Sequence, residues 1–220
     1  MEKHIYFVRH GESETNADGL YRGASAHLTE KGRAQAEEVA KRIERIGVDA
    51  LIASPQVRTK ETADAIAKRI GLPIEENDLF IERGRPTVMH GRRHEEPEIS
   101  AICREIFERY ASETHRHSDE ENFEDLKARL GKALAFLAAY PVERICVVTH
   151  GVFLGLLMGR VLAGAAFRGE DAQRALRTFM MGNTGITHFA YSAEPPYRHP
   201  MGTTLNEWRL INWNDQAHLG

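Results

Sequence analysis

Arg9, His10 and Gly11 follow directly on the apolar run Ile5, Tyr6, Phe7 and Val8. A strand ending this way delivers an imidazole and a guanidinium to one spot. Imidazole can attack phosphorus, and guanidinium grips phosphate oxygens through a planar fork. Gly11 lets the backbone turn sharply and approach a ligand closely. Together these residues point to phosphoryl transfer through a phosphohistidine. Two later segments repeat the pattern. Ala50 to Ala53 leads through Ser54 and Pro55 to Arg58, and Arg144 to Val148 ends in Thr149, His150 and Gly151. One Arg-His pair can equally be a structural ion-pair site. Several such clusters in order, together with Glu82, favour chemistry by mutual consistency.

The elements that must position these groups are readable. Residues 5–8, 50–53 and 144–148 are continuous apolar runs, as in strands buried on both faces. Thr29 caps a helix whose face is Ala36, Val39, Ala40, Ile43 and Ile46, ended by Gly47. Ser54 and Pro55 read as N-cap and first residue of a helix with Ala63, Ile66, Ala67 and Ile70 on one face, closed by Gly71. Phe123, Leu126, Leu130, Leu134 and Leu137 mark another helix, and residues 152–162 a further apolar one. Strands are expected at about 186–191 and 205–213. Trp208 and Trp213 are read as packing residues. The alternation predicts an α/β fold with a mostly parallel sheet and right-handed crossovers. Ligands then bind outside the carboxyl ends of the strands. Parallel neighbours would place all three polar clusters on one edge, beside helix N-termini that attract anions.

The 220 residues are expected to form a single domain, 1–220, with an inserted lid at about 83–121. That segment is polar, and only Ile99, Ile102, Ile106 and Tyr110 suggest a short helix, so it reads as lid rather than core. A net charge of −3 carries no global signature for nucleic acid or anionic membrane, so any anion site must be local. No stretch approaches the ~20 apolar residues of a membrane span. Cys103 and Cys146 are expected as buried, unlinked thiols, which with the absence of a signal pattern predicts a cytoplasmic setting. Gln216 to Gly220 are expected to fray.

The ordered motifs resemble those of the histidine phosphatase superfamily, with its phosphoglycerate-mutase-like fold. The resemblance is carried by Arg9-His10-Gly11-Glu12-Ser13 with Asn16, then Arg22-Gly23 and Leu28 to Gly32 with Gln35-Ala36. It continues through Ser54-Pro55, Arg58-Thr59 and Thr62-Ala63, Leu79 to Glu82, and Val148 to Gly151. It implies a three-layer α/β/α sandwich and the following roles. His10 is the nucleophile. Arg9, Arg58 and His150 hold the phosphoryl oxygens. Glu82 is the proton donor and later the base. Asn16, Gly23 and Gly151 line the pocket. Arginines neutralise the charge, so neither a metal nor a cofactor is expected. His10 must present one neutral nitrogen, its other N–H held by an acceptor such as a backbone carbonyl.

The mutase branch carries Glu-Arg-His-Tyr where this chain has Glu82-Arg83-Gly84-Arg85. It has Asn where Val152 stands and Trp where Thr15 stands. These departures favour a phosphatase acting on a small phosphate ester or phosphorylated metabolite. The alternatives are a phosphotransferase of the mutase type and a phospho-ligand binding module with negligible turnover. Arg22 is read as an extra positive charge at the pocket mouth. With His90, Arg92 and Arg93 it suggests a substrate of extra negative charge. Glu12 is read as structural, paired with a cation. His115 and His117 are read as a solvated loop rather than a metal pair. Neither the physiological substrate nor the oligomeric state has a signature in the sequence.

Overall fold

Alternate residues of a strand face opposite sides of a sheet, and here both sides are covered. The structure is a computed structural model that describes residues 2–194 and 207–220. Among these are six strands, β1 (Lys3–Arg9), β2 (Ala50–Ala53), β3 (Ile74–Glu76), β4 (Arg144–Thr149), β5 (Ile186–Tyr191) and β6 (Trp208–Asp215). The helices are α1 (Glu14–Asp18), α2 (Glu30–Ile46), α3 (Val57–Ile70), α4 (Pro97–Glu108), α5 (Phe123–Ala139), α6 (Gly151–Ala163) and α7 (Gly169–Thr178). The strands form one sheet in the order β3-β2-β4-β1-β5-β6. The first four in that order run parallel, while β5 is antiparallel to β1 and β6 to β5.

Ile5, Phe7, Ile52, Ile145 and Val147 face one side, where they pack with residues of α4, α5, α6 and α7. Tyr6, Val8, Leu51, Ala53, Cys146 and Val148 face the other, against Val39, Ala40 and Ile43 of α2 and Ala63 and Ile66 of α3. The result is a three-layer α/β/α sandwich with a mostly parallel sheet. Because β1 and β4 are covered on both faces, their apolar runs are unbroken. Each fully buried Ile, Val or Phe here contributes about 1.5–3 kcal/mol, so the central strands are the firmest part of the site's foundation.

The helix ends follow their sequence signals. The Thr29 side chain accepts from Gly32 N at 3.0 Å, and Gly47 and Gly71 end α2 and α3 at positive φ. The start of α3 differs from expectation. Its N-cap is Gln56, and Ser54 and Pro55 precede the helix. Ser54 is still part of the sheet's pairing, its N–H donating to Val148 O at 3.0 Å.

The segment 83–121 also differs from a lid outside the core. Ile99, Ile102, Ile106 and Tyr110 are buried and join the same apolar cluster as Phe7 and Phe153. Their spacing puts them on one stripe, and that stripe completes the core on this face. The C-terminal residues are folded rather than frayed. Ala217–Leu219 form a 3-10 turn, Gln216 Nε2 donates to Asn183 O at 3.2 Å, and His218 Nε2 lies 3.1 Å from Thr184 Oγ1. Three elements escaped the sequence reading, the first being α1, five residues with none buried. β3 is a three-residue edge strand with exposed acids, and α7 buries only the small residues Gly169, Ala172 and Ala175. Residues 205 and 206 of the expected last strand lie outside the described residues. Trp208 and Trp213 pack on Tyr191 and Phe179, with ring centroids 4.8 and 5.3 Å apart. Cys146 is buried, but Cys103 is only half-buried, and both are free thiols. His115 and His117 both contact the Glu105 carboxylate, at 3.1 and 2.9 Å, rather than standing free in solvent. Among the described residues no helix is long and apolar enough to cross a membrane.

Candidate active site

Sheet register brings the three polar clusters level. Arg9 pairs with Thr149 and Val8 with Val148, while Ala53 also pairs with Val148. The carboxyl ends of β1, β2 and β4 therefore stop together, and His10 N donates to Thr149 O at 3.0 Å. His10 and His150 then stand side by side, ring centroids 5.2 Å apart. The chain leaving β1 is pinned from several directions. Gly11 N donates to Thr62 Oγ1 at 3.1 Å, and Glu12 N to Gln35 Oε1 at 2.9 Å. The Glu12 carboxylate takes Thr29 Oγ1 and Lys31 Nζ at 3.0 and 2.8 Å, a structural role.

The start of α2 lies hard against this turn. A methyl group on Gly32 would overlap the Glu12 carbonyl, with other Glu12 backbone atoms at 2.8 and 2.9 Å. No side-chain rotation relieves a clash with backbone. We expect Gly32→Ala to lose about 3 kcal/mol or more of unfolding free energy in urea. Gly131→Ala, on α5 with nothing within 4 Å of the new methyl, should be neutral or gain up to about 1 kcal/mol. Equal behaviour of the two variants would disprove the close approach.

His10 is buried, 3% exposed. Its Nδ1 lies 2.7 Å from Gly11 O, and its Nε2 receives Arg58 Nε–H at 3.2 Å. That pairing fixes the tautomer, with the proton on Nδ1 and the lone pair on Nε2. Arg58, in the first turn of α3, also donates from Nη1 to Gly23 O at 2.9 Å. Gly23 has φ +58° and sits against His90, whose Nε2 would be 3.1 Å from a Cβ there. Arg9 donates from Nη1 to Met181 O, and its Nε runs close to Gly151. His150 Nε2 lies 2.9 Å from Ser54 Oγ. Glu82 reaches the N-terminus of α6, where Phe153 N and Val152 N donate at 2.9 and 3.2 Å; Arg83 N adds a third bond at 3.0 Å. Asn16 spends its Oδ1 on Ser13 N, Ser13 Oγ and Asn183 Nδ2, which leaves its amide hydrogens as the groups to offer a ligand.

These residues line one cavity of about 480 Å³. Arg9, His10, Asn16, Gly23, Arg58, Glu82 and Gly151 all line it, whereas His150 does not line it and is fully buried beside His10. Several buried side-chain atoms in and around it are unsatisfied, two of them on residues expected to hold phosphoryl oxygens. Arg9 Nε and His150 Nδ1 are buried with no hydrogen-bond partner among the described residues. Each such atom costs about 1–3 kcal/mol, and an oxyanion at this spot would satisfy the guanidinium and, with His150 protonated on Nδ1, the imidazole as well.

Arg22 is not brought to the cavity. Its guanidinium turns outward to Asp18, at 2.5 and 2.7 Å, and toward Glu14 at 3.6 Å. Arg92 is held by Glu96 and Glu98, and Arg93 by the Asp18 carbonyl. Local carboxylates claim the first two and a backbone carbonyl the third. His90 and His94, the two ends of one basic stretch, do line the cavity, joined by Arg85, which the sequence marked only as a departure from the mutase pattern, and by Tyr21, which it did not mark. The sequence reading also missed Asn183, whose Nδ2 donates to His10 O at 3.0 Å, and Thr184, whose N–H donates to Arg9 O at 3.0 Å. The Gly182 to Gly185 cluster ahead of β5 was the available turn signal.

Burial, then the charges of Arg58 and Arg9, holds His10 well below the ordinary histidine range. Burial followed by Arg58 does the same to His150. Burial also draws Arg58 down to about 10 and lowers Arg9, with Glu82 opposing in both. The two histidines thus stay neutral while an unfolded histidine, near 6.5, takes up its proton. Below that pH the unfolded chain binds protons that the folded chain refuses, so stability falls with pH. Between pH 7 and 5 we expect His10→Gln to lose up to about 2 kcal/mol less unfolding free energy than wild type. Parallel losses in urea titrations of the two proteins would refute this.

The architecture and this cluster define an α/β protein with an arginine-lined cavity at the carboxyl ends of its parallel strands. The chain belongs to the histidine phosphatase superfamily, branch 1, whose family model matches residues 5–199. A relative from Salmonella arizonae named "Probable phosphoglycerate mutase GpmB" is 32% identical, over 98% of this chain and 94% of that protein. The structure of YhfR from Bacillus stearothermophilus superposes with a TM-score of 0.78 at 24% identity, covering 99% of this chain and 100% of that one. The alpha-ribazole phosphatase from Shigella flexneri gives 0.74 at 20% identity, with 96% of each chain covered. The two structures are similar to this chain in fold.

Proposed function

We propose that the protein is a phosphomonoester hydrolase that works through a phosphohistidine on His10. One observation carries this reading: a buried imidazole whose Nδ1 is held by Gly11 O and whose Nε2 faces Arg58 Nε, beside unsatisfied Arg9 Nε and His150 Nδ1. In the first step His10 Nε2 attacks phosphorus as the bond to the ester oxygen breaks. Glu82 gives its proton to the leaving oxygen. Arg9, Arg58 and His150 hold the equatorial oxygens, and Arg58 Nε exchanges the imidazole for one of them. In the second step Glu82, now a carboxylate, takes a proton from water. The water oxygen bonds to phosphorus and the N–P bond breaks, returning His10 neutral. Charge neutralisation and in-line placement are the main demands of phosphoryl transfer, and two guanidiniums supply the charge here.

The test is to mix enzyme with a phosphorus-32-labelled ester in excess EDTA and quench within milliseconds. An acid-labile, alkali-stable label on the peptide containing His10 is expected. Turnover without such a label, or turnover abolished by EDTA, would count against the proposal. The mutase names among the relatives favour a second reading, transfer to a bound acceptor in place of water. Arg85, Thr15 and Val152 support hydrolysis over it. Chasing the labelled enzyme with water alone distinguishes them, because a transferase would keep its label.

A further inference from the structure

The cavity holds more positive charge than one phosphoryl group requires. Arg9 and Arg58 flank His10, and Glu82 is the one carboxylate residue among those lining the cavity. Arg85 lines it too. Its Nη1 donates to the Tyr21 hydroxyl at 3.2 Å, and its guanidinium lies 4.8 Å from the centre of the Tyr21 ring. Among the described residues no carboxylate forms an ion pair with it. The neighbouring arginines differ. Arg22, Arg92 and Arg129 each have carboxylate partners, and Arg83 is committed to the Tyr110 hydroxyl at 2.6 Å.

Arg85 is therefore a half-buried cation held in one orientation on an aromatic face, with much of its donor fork unspent. Cation–π contact orients a guanidinium without neutralising it. A charge removed from water without a counter-ion is costly, so this position favours an arriving anion. The charge is felt locally, since Arg85 contributes to lowering both Arg58 and His94. The wall around it is also polar and basic. The His94 ring centroid is 4.1 Å from that of Tyr21, and His90 packs on Gly23, whose carbonyl anchors Arg58. This wall runs from Arg85 to the phosphoryl end of the same cavity.

We propose that Arg85, presented on Tyr21 and flanked by His90 and His94, forms a second anion subsite. The preferred substrates are then phosphomonoesters whose alcohol part carries a further anionic group, a carboxylate or a second phosphate. The orientation of the ligand rests on the phosphomonoester reading above. A phosphoryl dianion answers Arg9 and Arg58, and the second anion answers Arg85 through the two-pronged geometry that guanidinium offers to carboxylate and phosphate alike.

The test is a binding measurement that needs no turnover. Calorimetry compares 4-(phosphonomethyl)benzoate with its amide, 4-(phosphonomethyl)benzamide, which matches it in size and lacks the charge. Wild type should bind the acid about tenfold or more tighter than the amide. The preference should collapse to within about twofold in Arg85→Gln, survive in part in Arg85→Lys, and persist in Arg92→Ala. The bisphosphonate of the same ring shows which anionic group the subsite takes more tightly. Equal affinity for acid and amide in wild type, or an undiminished preference in Arg85→Gln, would overturn the subsite. The corresponding phosphate esters are assayed separately. Preference without hydrolysis would refute the hydrolase reading alone, and hydrolysis without preference the subsite alone.

Discussion

His10→Ala will lower kcat/KM for a phosphate ester by about 10⁵-fold or more, while inorganic phosphate still binds within about tenfold of wild type. The two expectations separate two jobs in one pocket. His10 supplies the Nε2 lone pair, and no other side chain at the carboxyl ends of the strands can replace it. The His150 Nε2 is engaged with Ser54 at 2.9 Å, and its backbone starts α6. Anion binding rests on other groups. Arg9 is held by Met181 O, and Arg58 keeps its bond to Gly23 O when the imidazole is gone. Steady-state kinetics with phosphate as a competitive inhibitor measure both quantities. Residual activity above about 1% of wild type would mean that the chemistry uses another nucleophile.

The effect of Glu82→Gln should depend on the leaving group. For an alkyl phosphate we expect a loss of about 10²–10⁴-fold, the usual contribution of a positioned acid. For 2,4-dinitrophenyl phosphate, whose phenolate departs without a proton, the loss should be within about tenfold. The substitution suits this question because the anchoring survives it. Oε1 accepts from both Phe153 N and Arg83 N, and only the longer Val152 bond falls to Oε2. A glutamine oxygen keeps the first two, so the side chain holds its place and loses only its proton. An equal loss on both esters would point to a positioning or electrostatic role. Arg129 supports the comparison by holding the segment from α5. It donates to Leu79 O and Ile81 O at 3.0 and 2.9 Å, and pairs with Glu121, which in turn accepts from Gly84 N.

Much of this was legible in the chain. Unbroken apolar runs announced β1, β2 and β4, because strands covered on both faces have no polar side to show. Polar residues directly after each run marked where the strands stop. Register was not legible. Nothing in the residues themselves says that Arg9 is level with Thr149, and that alignment is what places His10 beside His150. Charge was misassigned for a related reason. Arg22, Arg92 and Arg93 look free in sequence, yet acids one turn away claim the first two and a backbone carbonyl the third. Arg85 stood out in sequence only as a departure from the mutase pattern and not as an unpaired cation, because its partner is an aromatic ring 64 positions earlier. Asn183 and Thr184 gave only a turn signal. Their bonds to His10 and Arg9 depend on β5 lying beside β1, a long-range pairing. α7 was missed because the residues it fully buries are alanine and glycine, so no stripe of large apolar side chains marks it.

The pairing of β1 with β4 also dictates when the protein can begin to work. His10, the proposed nucleophile, is made well before the strand beside it, which lies about 140 residues further along the chain. Closing so long a loop is slow, and it must precede the contacts that reward it. A ribosome-bound chain that ends before His150 therefore carries an imidazole with no cavity around it. Phosphate affinity, which needs β1, β2 and β4 aligned at once, then marks the moment at which the growing chain has folded.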